Sequence, residues 1–259
     1  MRIGCWLDEG PRETLSHGYI DEMVDSGIRV FYPVVTYDGH EIWSRHELSE
    51  LCRYCISIDC EVGVTFWPNV FYPLNHVEYL KGIADTGIVA IETEVEGNWK
   101  GENTGRAFRS IAPSLITMSL DNDIRIEATT FPSHREFSKY GMWRLLCNRM
   151  AIQAYSRATI NGHRIRHNNA IYGPGIMQKN VAKAAQRLNI SSLVMGLAAY
   201  DQHIDNMNPV DAMRLSAEAS WECGVEEIRY WSSKFIVGRK RSDYALPAIR
   251  SIANAFGII

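Results

Sequence analysis

The stretch that decides the fold reads DTGIVAIETE over residues 85–94. Gly87 suits the position just past a helix end, because glycine readily adopts the left-handed backbone that closes a helix. An apolar run of strand character begins at once and leads into acidic residues at alternate positions, Glu92, Glu94 and then Glu96. Alternate residues of a strand share a face, so the three glutamates lie on one side and the apolar residues on the other.

The same unit recurs at DSGIRV (25–30) and ECGVEEI (222–228). Strand-like segments alternate with helix-like ones throughout, at residues 2–7, 27–35, 61–67, 87–93, 123–131, 150–156, 191–200 and 225–232. This alternation predicts parallel pairing through helical crossovers. Eight units in about 250 residues match a closed barrel, and the first turn lacks the G-x-G-x-x-G spacing of nucleotide-binding sheets. We therefore predict an α/β fold, a single (β/α)8 TIM barrel over residues 1–259 with no separate binding module.

The composition is that of an ordinary globular chain, with 46% hydrophobic residues, 22% charged residues and a formal net charge of −3. Because no basic block dominates, we expect no nucleic-acid partner and no membrane partner. The first apolar strand begins at residue 2, so we expect no signal peptide and synthesis in the cytoplasm. The six cysteines show no paired zinc spacing, and we interpret them as small, reduced, buried side chains.

The interior of the predicted barrel is unusually polar. One face of each strand packs on helices and the other fills the lumen, so the apolar face fixes the phase of each strand. The inward set is Trp6, Asp8, Glu92, Glu94, Arg125, Glu127, Gln153, Tyr155, Arg229 and Trp231. Barrel enzymes carry their sites at the carboxyl ends of the strands, where the late members of this set converge.

Carboxylates and aromatic rings at a barrel mouth suit glycoside hydrolysis, in which one acid protonates the leaving oxygen and a second carboxylate assists. Glu94 lies nearer the mouth and is the predicted general acid. Glu92 is its deeper catalytic partner, with Arg125 as the predicted counter-ion. The predicted substrate-binding set is Trp6, Asp8, Trp67, Glu127, Gln153, Tyr155, Tyr200, Asp201 and Trp231, and Trp99 offers a further ring. We predict no metal and no cofactor.

Two members of this set also suit structural roles. Asp8 suits a cap for the helix that follows it, and Glu127 suits an internal ion pair with Arg125 or Arg229. Buried charges are costly unless they are paired, so a purely structural explanation stays open for both.

Short segments of the chain carry a resemblance to known glycosidases. They are Glu92-Thr93-Glu94, AIQAYSRATING (151–162) with YGPGIMQ (172–178), GLAAYDQ (196–202) and EIRYWSSKFI (227–236). The E-x-E resembles the D-x-E that closes the fourth strand in glycoside hydrolase family 25 lysozymes and, more loosely, in family 18 chitinase-like barrels. The other segments resemble the last three strands of TIM-barrel lysins encoded by bacteriophages and of related sugar hydrolases.

The resemblance implies roles for individual residues. In those families the second acid of the pair is the proton donor, which here is Glu94. The first acid is usually Asp, whereas here it is Glu92, whose extra methylene moves the carboxylate by about one C–C bond length. Family 18 enzymes use the substrate's own acetamido oxygen as nucleophile, steadied by the first acid and a tyrosine, and Tyr155 suits that role.

The resemblance also implies the partner. It points to a β-1,4-linked N-acetylated polysaccharide, with bacterial peptidoglycan as the first choice and chitin as the other. A phage endolysin would account for the expected absence of a signal peptide, because holins release such enzymes to the cell wall.

Two other functions remain open on the sequence. A metal-dependent barrel enzyme acting on sugars or phosphates would draw Mg²⁺ or Mn²⁺ ligands from Glu92 or Glu94, Glu127, Asp201 and His203. The third function is a barrel that binds glycan without turnover.

Overall fold

The computed structural model describes residues 1–16, 18–37, 40–68, 75–95, 104–130, 141–156, 159–160, 163–164, 173–190, 192–204 and 206–259. Its strands are β1 (Arg2–Leu7), β2 (Val30–Tyr37), β3 (His40–Glu41), β4 (Glu61–Phe66), β5 (Ala90–Glu94), β6 (Arg125–Thr130), β7 (Arg149–Gln153), β8 (Thr159–Ile160), β9 (His163–Arg164), β10 (Leu193–Ala198) and β11 (Glu227–Trp231). Its helices are α1 (Pro11–Thr14), α2 (Tyr19–Asp25), α3 (Arg45–Ser57), α4 (Asn75–Ile83), α5 (Thr104–Asn122), α6 (Gly141–Leu146), α7 (Ile176–Arg187), α8 (Pro209–Glu222), α9 (Ser233–Ile236) and α10 (Ala245–Ala255).

Eight parallel strands form a closed barrel. The order around the wall is β1, β2, β4, β5, β6, β7, β10 and β11, and β11 pairs again with β1. The helices surround this wall, so the predicted (β/α)8 TIM barrel is confirmed. Each predicted strand segment overlaps one barrel strand, and the ends differ by at most three residues. In the described part of the chain, no helix is both long and apolar enough to cross a membrane.

Local sequence signals explain where the elements start and stop. Gly27, Gly87 and Gly224 have φ angles of +99°, +102° and +73°, so the glycines past the helix ends adopt the left-handed conformation expected of them. Helix α3 begins at a capping box in which the Ser44 side chain accepts from the Glu47 backbone while the Glu47 carboxylate accepts from the Ser44 backbone.

Two separate cores hold the barrel together. The larger lies between the strands and the helices and takes the apolar face of every barrel strand, as Ile3, Cys5 and Leu7 do for β1. Four of the six cysteines are buried in it as interpreted, whereas Cys147 and Cys223 are only half-buried. The smaller core fills the lumen with Trp6, Val30, Tyr32, Ala90, Ala151 and Val194.

Glycines on the strands make room for the large lumen side chains. A Cβ atom at Gly63 would stand 2.3 Å from the Tyr32 ring, and one at Gly196 would stand 3.1 Å from the Trp6 ring. Both rings therefore occupy space that a side chain at the glycine would fill, which lets two large aromatic residues share a narrow lumen.

This packing makes a testable prediction. Replacing Gly63 by Ala should lower the free energy of unfolding by about 1–3 kcal/mol, since the new methyl overlaps the Tyr32 ring. Gly82 in α4 is the matched control, because no atom lies within 4 Å of a Cβ built there. Gly82→Ala should leave stability unchanged or raise it by up to ~1 kcal/mol, as expected for a helix position. Urea unfolding of the two variants measures both, and equal effects would contradict the packing argument.

Candidate active site

The lumen is crossed by a network of buried ion pairs. Four glutamates and four arginines form this lumen network: Arg2, Glu61, Glu92, Arg125, Glu127, Arg149, Glu227 and Arg229. It starts at the amino-terminal end of the barrel, where the Arg2–Glu61 pair (2.8 Å) is partly exposed. The equal number of charges of each sign is what makes so polar an interior tolerable.

Arg229 is the centre of the lumen network. Its side chain is fully buried, and its Nη2 donates to Glu227 Oε1 at 2.7 Å and to Glu127 Oε2 at 3.1 Å. Nη1 donates to Glu92. The guanidinium also lies 3.5 Å from the centre of the Tyr32 ring, a cation–π contact. Arg229 is therefore held in one position by three carboxylates and one aromatic face.

Glu92 is fully buried, and protein donors occupy both of its oxygens. Oε1 accepts from Trp6 Nε1 at 2.6 Å and from Thr65 Oγ1 at 2.8 Å, and Oε2 accepts from Arg229. Burial raises the pKa of Glu92, and Arg229 offsets part of that rise. The prediction that Arg125 is the counter-ion of Glu92 is wrong. The Arg125 guanidinium bonds to Glu61 and Glu127 instead.

Glu127 is the strand neighbour of Glu92 on β6 and is likewise fully buried. Its oxygens accept from Tyr32 Oη at 3.0 Å and from Arg125, Arg149 and Arg229 at 3.1–3.4 Å. The internal ion pair considered from the sequence is confirmed. The structure therefore gives Glu127 a supporting position below the mouth and leaves it no free lone pair for a sugar.

Glu94 stands at the level of the mouth. It is the last residue of β5 and lies opposite Thr129 of β6. On the other side Phe66 pairs with Thr93, so Trp67 follows at the level of Glu94. Only 6% of Glu94 is exposed. Glu96 and Trp99 lie outside the described residues.

Asp8 is an anchor for the segment after the last strand. It forms an ion pair with Lys234 Nζ and lies 3.4 Å from the backbone nitrogen of Lys234 and 3.5 Å from Ser233 Oγ. The predicted role of Asp8 as a helix cap is wrong, because the N-cap residue of α1 is Gly10 and no side chain caps that helix. Asp8 instead occupies the amino-terminal end of the short helix α9.

Aromatic rings line one wall of the mouth. Tyr155 contacts Tyr200 at a ring separation of 6.2 Å, and Tyr200 contacts Phe235 at 5.1 Å. Lys234 Nζ lies 5.2 Å from the Phe235 ring and 5.7 Å from the Trp231 ring. We call Tyr155, Tyr200, Trp231 and Phe235 the Trp231 group.

Below this group, Trp6 contacts Trp231 at 5.9 Å, so Glu92 fixes the ring on which Trp231 rests. Gln153 Nε2 points at Thr129 Oγ1 (3.5 Å), the strand neighbour of Glu94. The structure thus brings Gln153, Tyr155, Tyr200 and Trp231 to the mouth with Glu94, and it places Trp6 below them in the lumen. Sequence reasoning missed Lys234 and Phe235, although EIRYWSSKFI contains both.

The ligand set considered for a metal does not converge. Glu92 and Glu127 are saturated by arginine and other donors, and Asp201 pairs with His203 Nδ1 at 3.1 Å on the exposed surface. Within the described ranges, no group of three or more His, Cys, Asp or Glu is arranged to hold a metal ion.

Comparison with known proteins finds similarity of fold. No protein-family profile and no curated protein matches the chain. A GH18 chitinase from Pseudoalteromonas aurantia superposes with a TM-score of 0.66 at 13% identity, over 98% of this chain and 100% of that one. The catalytic domain of a chitinase from Pyrococcus furiosus gives 0.69 at 10% identity, over 98% and 94%. Tamarind chitinase-like lectin gives 0.62 at 11% identity, over 97% and 98%.

At sequence identities this low, the superpositions show a shared fold and nothing further. Two of these three structures are chitinases, and the likeness of the chain to all three is one of fold. One of them is described as a lectin, so the barrel alone does not decide between catalysis and binding.

The lumen network predicts how stability depends on pH. Burial raises the pKa of Glu227, but Arg229 and Arg149 outweigh it and lower that pKa to about 2. A carboxyl whose pKa is depressed on folding stabilises the fold above its unfolded pKa, and this contribution is lost as pH falls towards 2. Glu227→Gln should therefore cost about 3–5 kcal/mol at pH ~7, where it strands buried arginines.

The difference in free energy of unfolding between wild type and Glu227→Gln should become smaller as the pH is lowered through the acid range. Chemical unfolding at a series of pH values measures it. The control is Glu226→Gln, an exposed neighbour, which should match wild type throughout. A difference in free energy of unfolding that stays constant with pH would contradict the lowered pKa of Glu227 in the folded protein.

Proposed function

We propose that the protein is a glycoside hydrolase in which Glu94 is the general acid. The observation that carries this proposal is the position of Glu94 at the carboxyl end of β5, almost buried, lumen-facing and level with Trp67 of the neighbouring strand. A carboxyl group held at the barrel mouth and largely shielded from water is placed where it can protonate the leaving oxygen of a glycosidic bond. The low-identity likeness to chitinases and a mannanase supports a sugar polymer as the substrate class.

The fixed position of Glu92 supports different roles for Glu92 and Glu94 in the reaction. A carboxylate that accepts from Trp6, Thr65 and Arg229 is not free to approach the anomeric carbon. Glu92 then acts as a fixed support that orients Trp6 below the mouth. The nucleophile would come from the substrate, and an N-acetyl group provides one. This agrees with the N-acetylated glycan that the sequence resemblance implies.

Phosphate chemistry is less well supported than glycan chemistry. Barrel enzymes that bind phosphate often do so at a short extra helix after the last strands. In this chain that helix is α9, and the Asp8 carboxylate already occupies its amino-terminal end together with Lys234. A phosphate there would have to displace this partly buried ion pair.

Peptidoglycan is the substrate we propose first. The spore cortex-lytic enzyme SleL of Bacillus cereus, with a TM-score of 0.61 at 11% identity, shows that this fold serves lytic enzymes. Because several segments of the chain resemble phage lysins, we propose that it serves as an endolysin. Such an enzyme would act on the bacterial wall after its release from the cytoplasm.

The role of Glu94 predicts the effect of one substitution. Glu94→Gln should lower kcat roughly 10²-fold or more, because the amide cannot donate a proton to the leaving oxygen. The fold should survive, since Gln has the same shape. The control is Glu50→Gln, an exposed residue of α3, which should retain full activity. Near wild-type turnover by Glu94→Gln would end the proposal.

The substrate assignment predicts the products. Mass spectrometry of digests of purified peptidoglycan should show new reducing ends on a disaccharide repeat, and the reducing sugar identifies the bond cleaved. Purified chitin is the parallel substrate. Cleavage of chitin alone would replace peptidoglycan as the substrate while leaving the assignment of Glu94 intact.

A glycan-binding barrel without turnover is the second candidate. The observation that favours it is the same saturated Glu92, which differs from the shorter Asp of the resembling families. It predicts that wild type and Glu94→Gln bind insoluble glycan equally and that neither releases soluble sugar.

A further inference from the structure

A second pair of aromatic rings stands at the mouth, on the wall opposite the Trp231 group. Tyr37 is the last residue of β2, and its ring lies 5.0 Å from that of Trp67, at an interplanar angle of 88°. We call these two residues the Trp67 pair. Tyr37 is 54% exposed, so its ring is open to solvent.

The order of strands places the two aromatic sets across the lumen from one another. The Trp67 pair stands at the ends of β2 and β4, and the Trp231 group follows β7, β10 and β11. Between the two sets lie β5 and β6 on one side and β1 on the other. Glu94 therefore stands on the wall between them, with Trp67 at its own level on the neighbouring strand.

The Trp67 pair is held in place by the backbone around it. The Trp67 nitrogen donates to Thr36 Oγ1 at 3.2 Å, which ties the end of β4 to β2. The pairing of β2 with β4 shifts register between Val34 and Thr36. Such a bulge near a barrel rim turns the following side chains in a new direction, and Tyr37 is the last of these residues in β2. The hairpin pairing of Tyr37 with His40 fixes its backbone.

We propose that Tyr37 and Trp67 form a second sugar-binding platform, so that one polysaccharide chain spans the mouth and is cut at an internal bond beside Glu94. This inference rests on the proposed glycosidase function and adds the mode of attack. Two rings at right angles form a corner, in which one ring offers its face to a pyranose and the edge of the other limits how the sugar lies. A short substrate would reach only one aromatic set, whereas a long chain would reach both.

The experiment compares Tyr37→Ala with wild type on two lengths of substrate. The short probe is an aryl disaccharide of N-acetylglucosamine, and the long probes are soluble peptidoglycan strands and glycol chitin. Tyr37→Ala should lower kcat/KM on the cleaved long substrate by roughly three- to tenfold, the range for one aromatic contact. It should leave the short substrate unchanged, and Tyr37→Phe should restore wild-type behaviour because the ring remains.

The control is Tyr54→Ala, another partly exposed tyrosine, on the outer surface of α3, which should change neither rate. Wild type should also lower the viscosity of a long substrate well before much reducing sugar appears, as internal cleavage does. A loss of rate by Tyr37→Ala that is equal on long and short substrates, or absent on both, would overturn the platform. Turnover retained by Glu94→Gln would instead overturn the proposed function and leave the length comparison interpretable as binding alone.

Discussion

The ion pair between Arg229 and Glu92 is the interaction on which the rest of the structure depends. Arg229 belongs to β11 and Glu92 to β5, strands four positions apart in an eight-stranded wall, so the pair spans the lumen. It neutralises a carboxylate that burial would otherwise force to protonate. It also orients Trp6, on which Trp231 rests at the mouth. The charge balance of the interior and the floor of the candidate site therefore have one common origin.

The apolar residues alone were enough to predict the barrel and most of its inward set. Ile91 packs in the core between strands and helices, which turns Glu92 and Glu94 into the lumen as their alternation required. Period-two patterning carries this information because a slip by one residue would expose a whole apolar face. The same reasoning fixes the phase of β10 less firmly, since GLAAY (196–200) has small residues on both faces.

The partners of the charges were not predictable from sequence in the same way. Arg125 is the sequence neighbour of Glu127 on the strand beside β5, and it was the natural choice for Glu92. The actual partner reaches across from the opposite wall, a relation that depends on the tilt and stagger of the closed barrel. Lys234 escaped notice for a similar reason, because its ion pair joins residues 226 positions apart along the chain.

The most direct test of the account is a crystal structure of Glu94→Gln with an N-acetylglucosamine oligomer bound. The account predicts an oligomer that crosses the mouth with a glycosidic oxygen within hydrogen-bonding distance of the residue 94 amide. It also predicts that Glu92 still accepts from Trp6, Thr65 and Arg229. An oligomer bound away from residue 94, or a Glu92 carboxylate that has left Arg229 to contact the sugar, would contradict the central claim.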